Sequence, residues 1–318
     1  MARIGTSDLD VFPIGLGGNV FGFTADEATS FAILDAWVDG GGDHIDTADS
    51  YAAWVPGNVG GESEAIIGRW LAARPGARDR VVIATKVSRH PEFPGLAPAN
   101  VRAAAEASLG RLGVDTIDLY YAHYDDPETP LEDAVGAFEA LVHDGLVRAV
   151  ALSNFTPERI EAWIDLAAGG PAAPVAVQPH YNLVHRNEVE DHLVPLAQRH
   201  GIGLIPYFGL AKGFLSGKYR TAELQEGASP RAAAALKYVT PQGLEILAVL
   251  DEVAAAHDST PAAVALAWLR TRPAVAAPLA SASRLDQVPE LLEAGRLALA
   301  PEEAEALTRV SDWTPTPR

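Results

Sequence analysis

The sequence predicts an α/β chain folded as a (β/α)8 TIM barrel, with an N-terminal β-hairpin and an extra C-terminal helix, as one domain over residues 1–318. Three observations carry this expectation. Eight short apolar, β-branched runs recur along the chain, each is followed by a segment of helical length and period, and no Gly/Ser linker or composition break divides them. Alternating βα units call for a parallel sheet with right-handed crossovers, and eight equivalent units favour closure over an open doubly wound sheet.

Taken in order, a hairpin over 3–11 precedes the barrel, and the strand at 14–17 leads to a helix at 26–38. Gly15-Leu16-Gly17-Gly18 is no dinucleotide fingerprint, because Val20 takes the place of the last glycine and no helix opens there. The following pairs are 44–46 with 63–73, 81–85 with 99–112, 117–121 with 131–143, and 147–152 with 157–167. The last three are 175–179 with 189–200, 203–207 with 261–270, and 275–278 with 285–294. The helix at 99–112 shows the basis: Val101, Ala104, Ala105, Ser108, Leu109 and Leu112 recur at spacings of three and four, and Gly113 stops the run. Loop insertions are expected at 52–61, 88–98 and 208–242, and a closing helix begins at Pro301.

Composition narrows the function. Forty-two acidic against 24 basic residues leave a net charge of −18, which repels phosphate backbones and anionic lipid, so neither nucleic acid nor membrane is expected as a partner. The absence of cysteine excludes disulfides, thiolate metal sites and a thiol nucleophile. No apolar leader or run of ~18 apolar residues is read, and a soluble, cytoplasmic protein is expected.

In a parallel barrel the working face lies at the C-terminal strand ends, where all the βα loops meet. Those ends carry Asp46 and Tyr51, then Lys86, then His123, followed by Ser153-Asn154, Gln178 and Tyr207. A phenol is a reluctant acid at neutral pH, and a nearby ammonium lowers its pKa. Lys86 can tune Tyr51 in this way, Asp46 can hold the ammonium charged, and His123 can polarise the oxygen that gains charge. The set suits proton delivery to a carbonyl oxygen during reduction.

The run Ile45-Asp46-Thr47-Ala48-Asp49-Ser50-Tyr51, then Gly61-Glu62-Ser63-Glu64, Thr85-Lys86 and Asp118-Leu119-Tyr120-Tyr121-Ala122-His123, resembles the aldo-keto reductase superfamily. The likeness is to its bacterial oxidoreductase branch related to potassium-channel β subunits, and it spans nearly the whole chain. The resemblance implies an NADPH-dependent reduction of an aldehyde or ketone, with NADH as an alternative cofactor. Tyr51 would be the general acid, Lys86 and Asp46 its pKa modulators, and His123 the group that orients the carbonyl. It implies that Ser153, Asn154 and Gln178 hold the nicotinamide amide and that Tyr207 stacks on its ring. Phe208, Leu210, Lys212 and Gly213 fall in the pyrophosphate loop, where Phe208-Gly209 replaces the usual Ser-Pro. Ser281, Ser283, Arg284 and Gln287 fall in the segment for the adenosine 2′-phosphate, Ser281 standing where a basic residue is usual.

Competing readings differ in class. A cofactor-bound regulatory module of the same fold keeps the nucleotide with little turnover. A metal-dependent barrel hydrolase is invited by His44-Ile45-Asp46 with His123, but the chain lacks a two-His strand motif, and no metal site is expected. His44 and His180 read as core or supporting residues, and Asp49 as a helix cap or turn former. Asn154-Phe155-Thr156 fits a glycosylation pattern, yet its Asn is already assigned to the site. Phe21, Phe23 and Trp54 read equally as surface or core aromatics and, by their loop placement near the mouth, as substrate contacts.

Overall fold

The computed structural model describes residues 1–221, 223 and 232–312. A short antiparallel hairpin, β1 (Ala2–Arg3) with β2 (Asp10–Val11), comes first. The barrel strands and their helices then alternate: β3 (Gly15–Gly17), α1 (Glu27–Asp39), β4 (His44–Asp46), α2 (Glu62–Ala73) and β5 (Val82–Val87). A second small hairpin, β6 (Arg89–His90) with β7 (Phe93–Pro94), precedes α3 (Pro98–Leu112), β8 (Ile117–Ala122), α4 (Leu131–His143) and β9 (Val147–Ser153). The order continues through α5 (Pro157–Ala167), β10 (Pro174–Gln178), α6 (Val194–His200), β11 (Gly203–Leu204), α7 (Ala232–Leu236), α8 (Pro241–Ala256) and α9 (Pro261–Arg270). It ends with β12 (Leu279–Ala280), α10 (Val288–Arg296) and α11 (Pro301–Val310).

All eight strands of the main sheet pair in parallel, in the order β11-β10-β9-β8-β5-β4-β3-β12. The two edges meet: Leu204 N–H donates to Ala274 O at 2.8 Å, Ala276 N–H to Leu204 O at 2.9 Å, and Leu279 N–H to Pro206 O at 2.8 Å. The sheet is a closed (β/α)8 barrel. Side chains alternate as a pleated strand requires, Leu119 and Tyr121 pointing to the interior cluster and Tyr120 to the helical layer.

Ile4, Leu9 and Val11 of the first hairpin join the interior cluster with Ala84, Leu119, Ala151, Ala176 and Ile205. The hairpin therefore plugs the end where the strands begin. Gly5, at φ +53, is required there, because a Cβ would lie 2.1 Å from Val175 O. The opposite end, where the strands finish, stays open.

The helix at Pro98–Leu112 buries the six positions its periodicity singled out, and Gly113 ends it at φ +66 with its N–H bonded to Leu109 O. Burying a leucine contributes about 1.5–3 kcal/mol, so this face alone fixes the helix on the sheet. Other expectations shift. The expected strand 275–278 is displaced to Leu279–Ala280, because Pro278 has no N–H for the ladder and offers only its carbonyl to Gly15 N–H at 3.0 Å. The regular part of the expected strand 203–207 stops at Leu204, just before the imino group of Pro206. The expected helix 189–200 opens with a π-helical turn, Val189–Leu193, where Pro195 removes a helical donor. The expected helix 285–294 opens with a 3-10 turn, Leu285–Gln287, and becomes α-helical at Val288 with Pro289 in its first turn.

The insertion read over 208–242 contains a 3-10 stretch, Ala211–Ser216, and α7, while its residues 222 and 224–231 lie outside the described residues. The 16-residue α8 was not expected at all, although Thr240 caps it onto Gly243 N–H and Ile246, Leu247, Leu250 and Val253 bury one stripe. Among the described residues no helix is long and apolar enough to cross a membrane.

Candidate active site

A cleft of about 980 Å³ opens at the C-terminal strand ends. Its floor is built from strand-end residues pointing inward. Asp46 ends β4, Lys86 lies two residues beyond Ala84 on the same face of β5, and Gln178 ends β10. Lys86 is fully buried, and its ammonium donates to Asp46 Oδ1 at 2.5 Å, Thr47 O at 2.7 Å and the Tyr51 hydroxyl at 3.0 Å. All three of its protons are thus used. The second oxygen of Asp46 accepts from Gln178 Nε2 at 2.9 Å. Burial pulls the Lys86 pKa down and the Asp46 carboxylate opposes that pull.

Tyr51 is partly buried and faces the cleft, with its ring centroid 6.2 Å from that of His123. His123 follows β8; burial, then the charges of Lys86 and Arg89, hold its pKa well below the usual imidazole value. The ring is neutral at physiological pH. Its Nδ1 is buried with no hydrogen-bond partner, while the ring opens on the cleft.

Ser153, Asn154, Gln178 and Tyr207 form a hydrogen-bonded chain along one wall. Ser153 Oγ donates to Gln178 O at 2.9 Å, Asn154 Nδ2 to His123 O at 2.9 Å and to Ser153 Oγ at 3.0 Å, and the Tyr207 hydroxyl to Asn154 Oδ1 at 3.0 Å. Asn154 sits at φ +56, a left-handed conformation that Asn tolerates better than most residues. Beyond Tyr207 the chain turns sharply, with Phe208, Ala211, Lys212 and Gly213 all at positive φ. This lines the cleft with Phe208, Leu210, Lys212 and Gly213.

At the far end stand Ser281, Ser283, Arg284 and Gln287. Ser281 Oγ donates to Asn19 Oδ1 at 2.8 Å, joining residues 262 apart in sequence. Gln287 Oε1 accepts from Ser283 N at 2.8 Å and Arg284 N at 3.2 Å, so it shapes the loop. The exposed Arg284 guanidinium meets Asp286 at 3.0 and 3.2 Å. Of the catalytic and cofactor-binding candidates only Lys86 does not line the cleft; it stands behind Asp46 and Tyr51.

Several cleft residues were not selected from sequence: Asn19, Arg89, Tyr124 and Glu290. They lie on loops or helix starts whose direction has no period to betray it. Of the aromatics left open between core, surface and mouth, Phe21 is fully buried core, Phe23 does not line the cleft, and Trp54 is 52% exposed, lines the cleft and packs edge-on with Tyr51. His44 is buried, which pushes its pKa down to about 4. Asp49 caps no helix but lies in the turn that leads into Tyr51, with both carboxyl oxygens buried. Among the described residues no group of three or more His, Asp or Glu is placed to hold a metal ion.

The donor set fits an elongated dinucleotide. Amide side chains cluster beside Tyr51, and Lys212, Lys218 and Arg284 cluster at the other end, where neither lysine forms an ion pair with a described residue. Comparison with known proteins shows the family. The family model described as the aldo/keto reductase family matches residues 13–312. An uncharacterized oxidoreductase, YrpG, of Bacillus subtilis (strain 168) is 31% identical, covering 99% of this chain and 95% of its own. A putative voltage-gated potassium channel subunit beta of Schizosaccharomyces pombe is 31% identical, covering 98% and 93%. The L-glyceraldehyde 3-phosphate reductase of Escherichia coli (strain K12) is 30% identical, covering 90% and 84%. With a match that runs from the first barrel strand to the last helix, the chain belongs to the aldo/keto reductase family.

Proposed function

We propose that the protein is a cytoplasmic, NADPH-dependent reductase that converts an aldehyde or ketone to its alcohol, with Tyr51 as the proton donor. The observation that supports this most directly is the ammonium of Lys86, 3.0 Å from the Tyr51 hydroxyl at the floor of the cleft. Lys86 is the donor in that bond, so the proton that Tyr51 gives in this reading is its own phenolic proton, delivered to a carbonyl oxygen in the cleft. When bound, the reduced nicotinamide supplies a hydride to the carbonyl carbon. The carbonyl π-bond pair moves to oxygen, which takes the Tyr51 proton; solvent at the mouth then restores the phenol.

Lys86 stabilises the phenolate that this transfer leaves, and Asp46 keeps the ammonium charged against the pull of burial. Neutral His123 offers an N–H to the same oxygen without competing as an acid. In this reading Asn154 and Gln178 would hold the nicotinamide amide, Tyr207 would flank its ring, and Lys212, Lys218 and Arg284 would meet its phosphates; all six line the cleft. Arg284 is the residue offered for a 2′-phosphate and hence for NADPH over NADH.

Fluorescence titration with NADPH and NADH, followed by loss of reduced-nicotinamide absorbance with an aldehyde panel, tests this reading. Tyr51→Phe should lower carbonyl reduction at least ~100-fold while leaving NADPH affinity nearly unchanged. Equal activity refutes the role of Tyr51. Nucleotide binding without turnover of any carbonyl favours the regulatory reading.

A further inference from the structure

The wall of the cleft beyond Tyr51 carries a cation that the reduction step does not use. Arg89 opens β6, is exposed, and lines the cleft beside Trp54, His123 and Tyr124. Its guanidinium lies 4.6 Å from the centre of the Tyr124 ring and makes no hydrogen bond or ion pair with any described residue. Neighbouring acids are already engaged. Asp125 holds Arg159 at 2.7 and 2.8 Å, and Asp126 accepts from Leu96 N at 2.7 Å and Thr129 Oγ1 at 2.6 Å.

The loop builds this placement at a conformational cost. Ser88 sits at φ +109, which an L-residue adopts only under strain. Its Oγ accepts from Tyr124 N–H at 3.1 Å, tying the loop after β5 to the loop after β8. The small hairpin then pairs Arg89 with Pro94. The guanidinium is thus held over an aromatic face, and its field reaches the His123 ring. In a chain of net charge −18, where many arginines find a carboxylate, a guanidinium kept on a ring at the mouth is available to an incoming anion.

We propose that Arg89 is an anion subsite and that the substrate is a carbonyl compound bearing a carboxylate at the end remote from its carbonyl. This rests on the carbonyl-reductase reading above. A carboxylate is favoured over a phosphate because one planar fork neutralises a monoanion with two parallel bonds. The other cations lining the cleft, Lys212, Lys218 and Arg284, lie at the cofactor end. Trp54, 52% exposed at the same mouth, offers ring surface to an apolar or aromatic spacer between the two groups.

The test compares 4-carboxybenzaldehyde with 4-methylbenzaldehyde in the wild type, Arg89→Gln and Arg89→Lys, with NADPH. The wild type should favour the carboxylated aldehyde at least about tenfold in kcat/KM, and Arg89→Gln should abolish that preference by slowing only the charged substrate. Arg89→Lys should restore part of it, and added salt should shrink it. Titration calorimetry of the NADP+ form with 4-(hydroxymethyl)benzoate gives a readout without turnover; Arg89→Gln should weaken binding at least about tenfold. No preference in the wild type, or equal losses on both aldehydes, overturns the proposal. A larger preference for glyceraldehyde 3-phosphate over glyceraldehyde than for carboxylate over methyl overturns the choice of carboxylate. If no aldehyde is reduced, the reductase reading fails, and the calorimetry still decides whether Arg89 binds a carboxylate.

Discussion

Replacing Lys86 by Met tests whether the floor of the cleft is held by charge or by packing. Methionine nearly matches the lysine stem in volume, so little cavity is created. What is lost is a fully buried ammonium with three acceptors, Asp46 Oδ1, Thr47 O and the Tyr51 hydroxyl. Asp46 would keep its bond from Gln178 Nε2 at 2.9 Å but would face no cation. Breaking a buried pair in this way costs about 3–5 kcal/mol, most of it from the charge left behind. Asp46→Asn should cost less, because burial already lowers the Lys86 pKa and the amine can shed its proton. Asp46→Asn/Lys86→Met leaves neither charge, so it should be more stable than the sum of the single changes by at least about 2 kcal/mol. Urea unfolding followed by circular dichroism gives the three differences at constant m. At ~2.1 cal/mol/K per residue for 318 residues, the Lys86→Met loss corresponds to a Tm lowered by roughly 5–7 °C. Additivity within about 0.5 kcal/mol refutes a coupled pair.

Burial, aided by the charge of Glu64, pushes the Asp49 pKa from 3.8 up to about 8. A folded pKa above the unfolded one contributes stability that is complete below pH 3.8 and lost as pH rises through about 8. The wild-type Tm should fall across that window, and Asp49→Asn should flatten the fall; parallel profiles refute it. At Gly68, where α2 crosses α3, a Cβ would lie 2.1 Å from Arg111 O. Gly68→Ala gains about 1 kcal/mol of helix propensity, yet overpacking against rigid backbone costs about 1–3, so a lower Tm is expected and a raised one refutes the clash. Arg284→Ala should weaken NADPH more than NADH. Asp286→Ala, which frees that guanidinium from a pair 65% and 69% exposed, should tighten NADPH by no more than about fivefold. Fluorescence titration measures both, and parallel changes in the two cofactors refute the assignment of the 2′-phosphate to Arg284.

Periodicity carried most of the barrel into view, because a helix resting on a sheet must bury one stripe. The helix at Leu131–His143 falls on its expected boundaries for that reason. The miss at Pro241–Ala256 arose because two consecutive helices, α8 and α9, interrupt the βα alternation that guided the reading. Its cap and its buried stripe were both present in sequence. Asp46, Tyr51, Lys86 and His123 were legible because strand ends converge in a parallel barrel, so position along the chain predicts position in space. Arg89 was not legible: its direction depends on the φ of Ser88 and on a bond to Tyr124 N, neither of which leaves a pattern in the sequence.

The contact of Ser281 with Asn19 has a kinetic meaning. It lies beside the seam where β12 meets β3, so it joins the first barrel strand to the last, the strand pairing with the largest separation in sequence. Loop-closure entropy sets such pairings among the slowest to form. The cleft runs across this seam from Asn19 to Arg284, so it is whole only while this long-range pairing is made. A ligand seated there acts as a latch, lengthening the lifetime of the closed barrel against unfolding and proteolysis in proportion to how much more tightly it holds the shut ring than the open one.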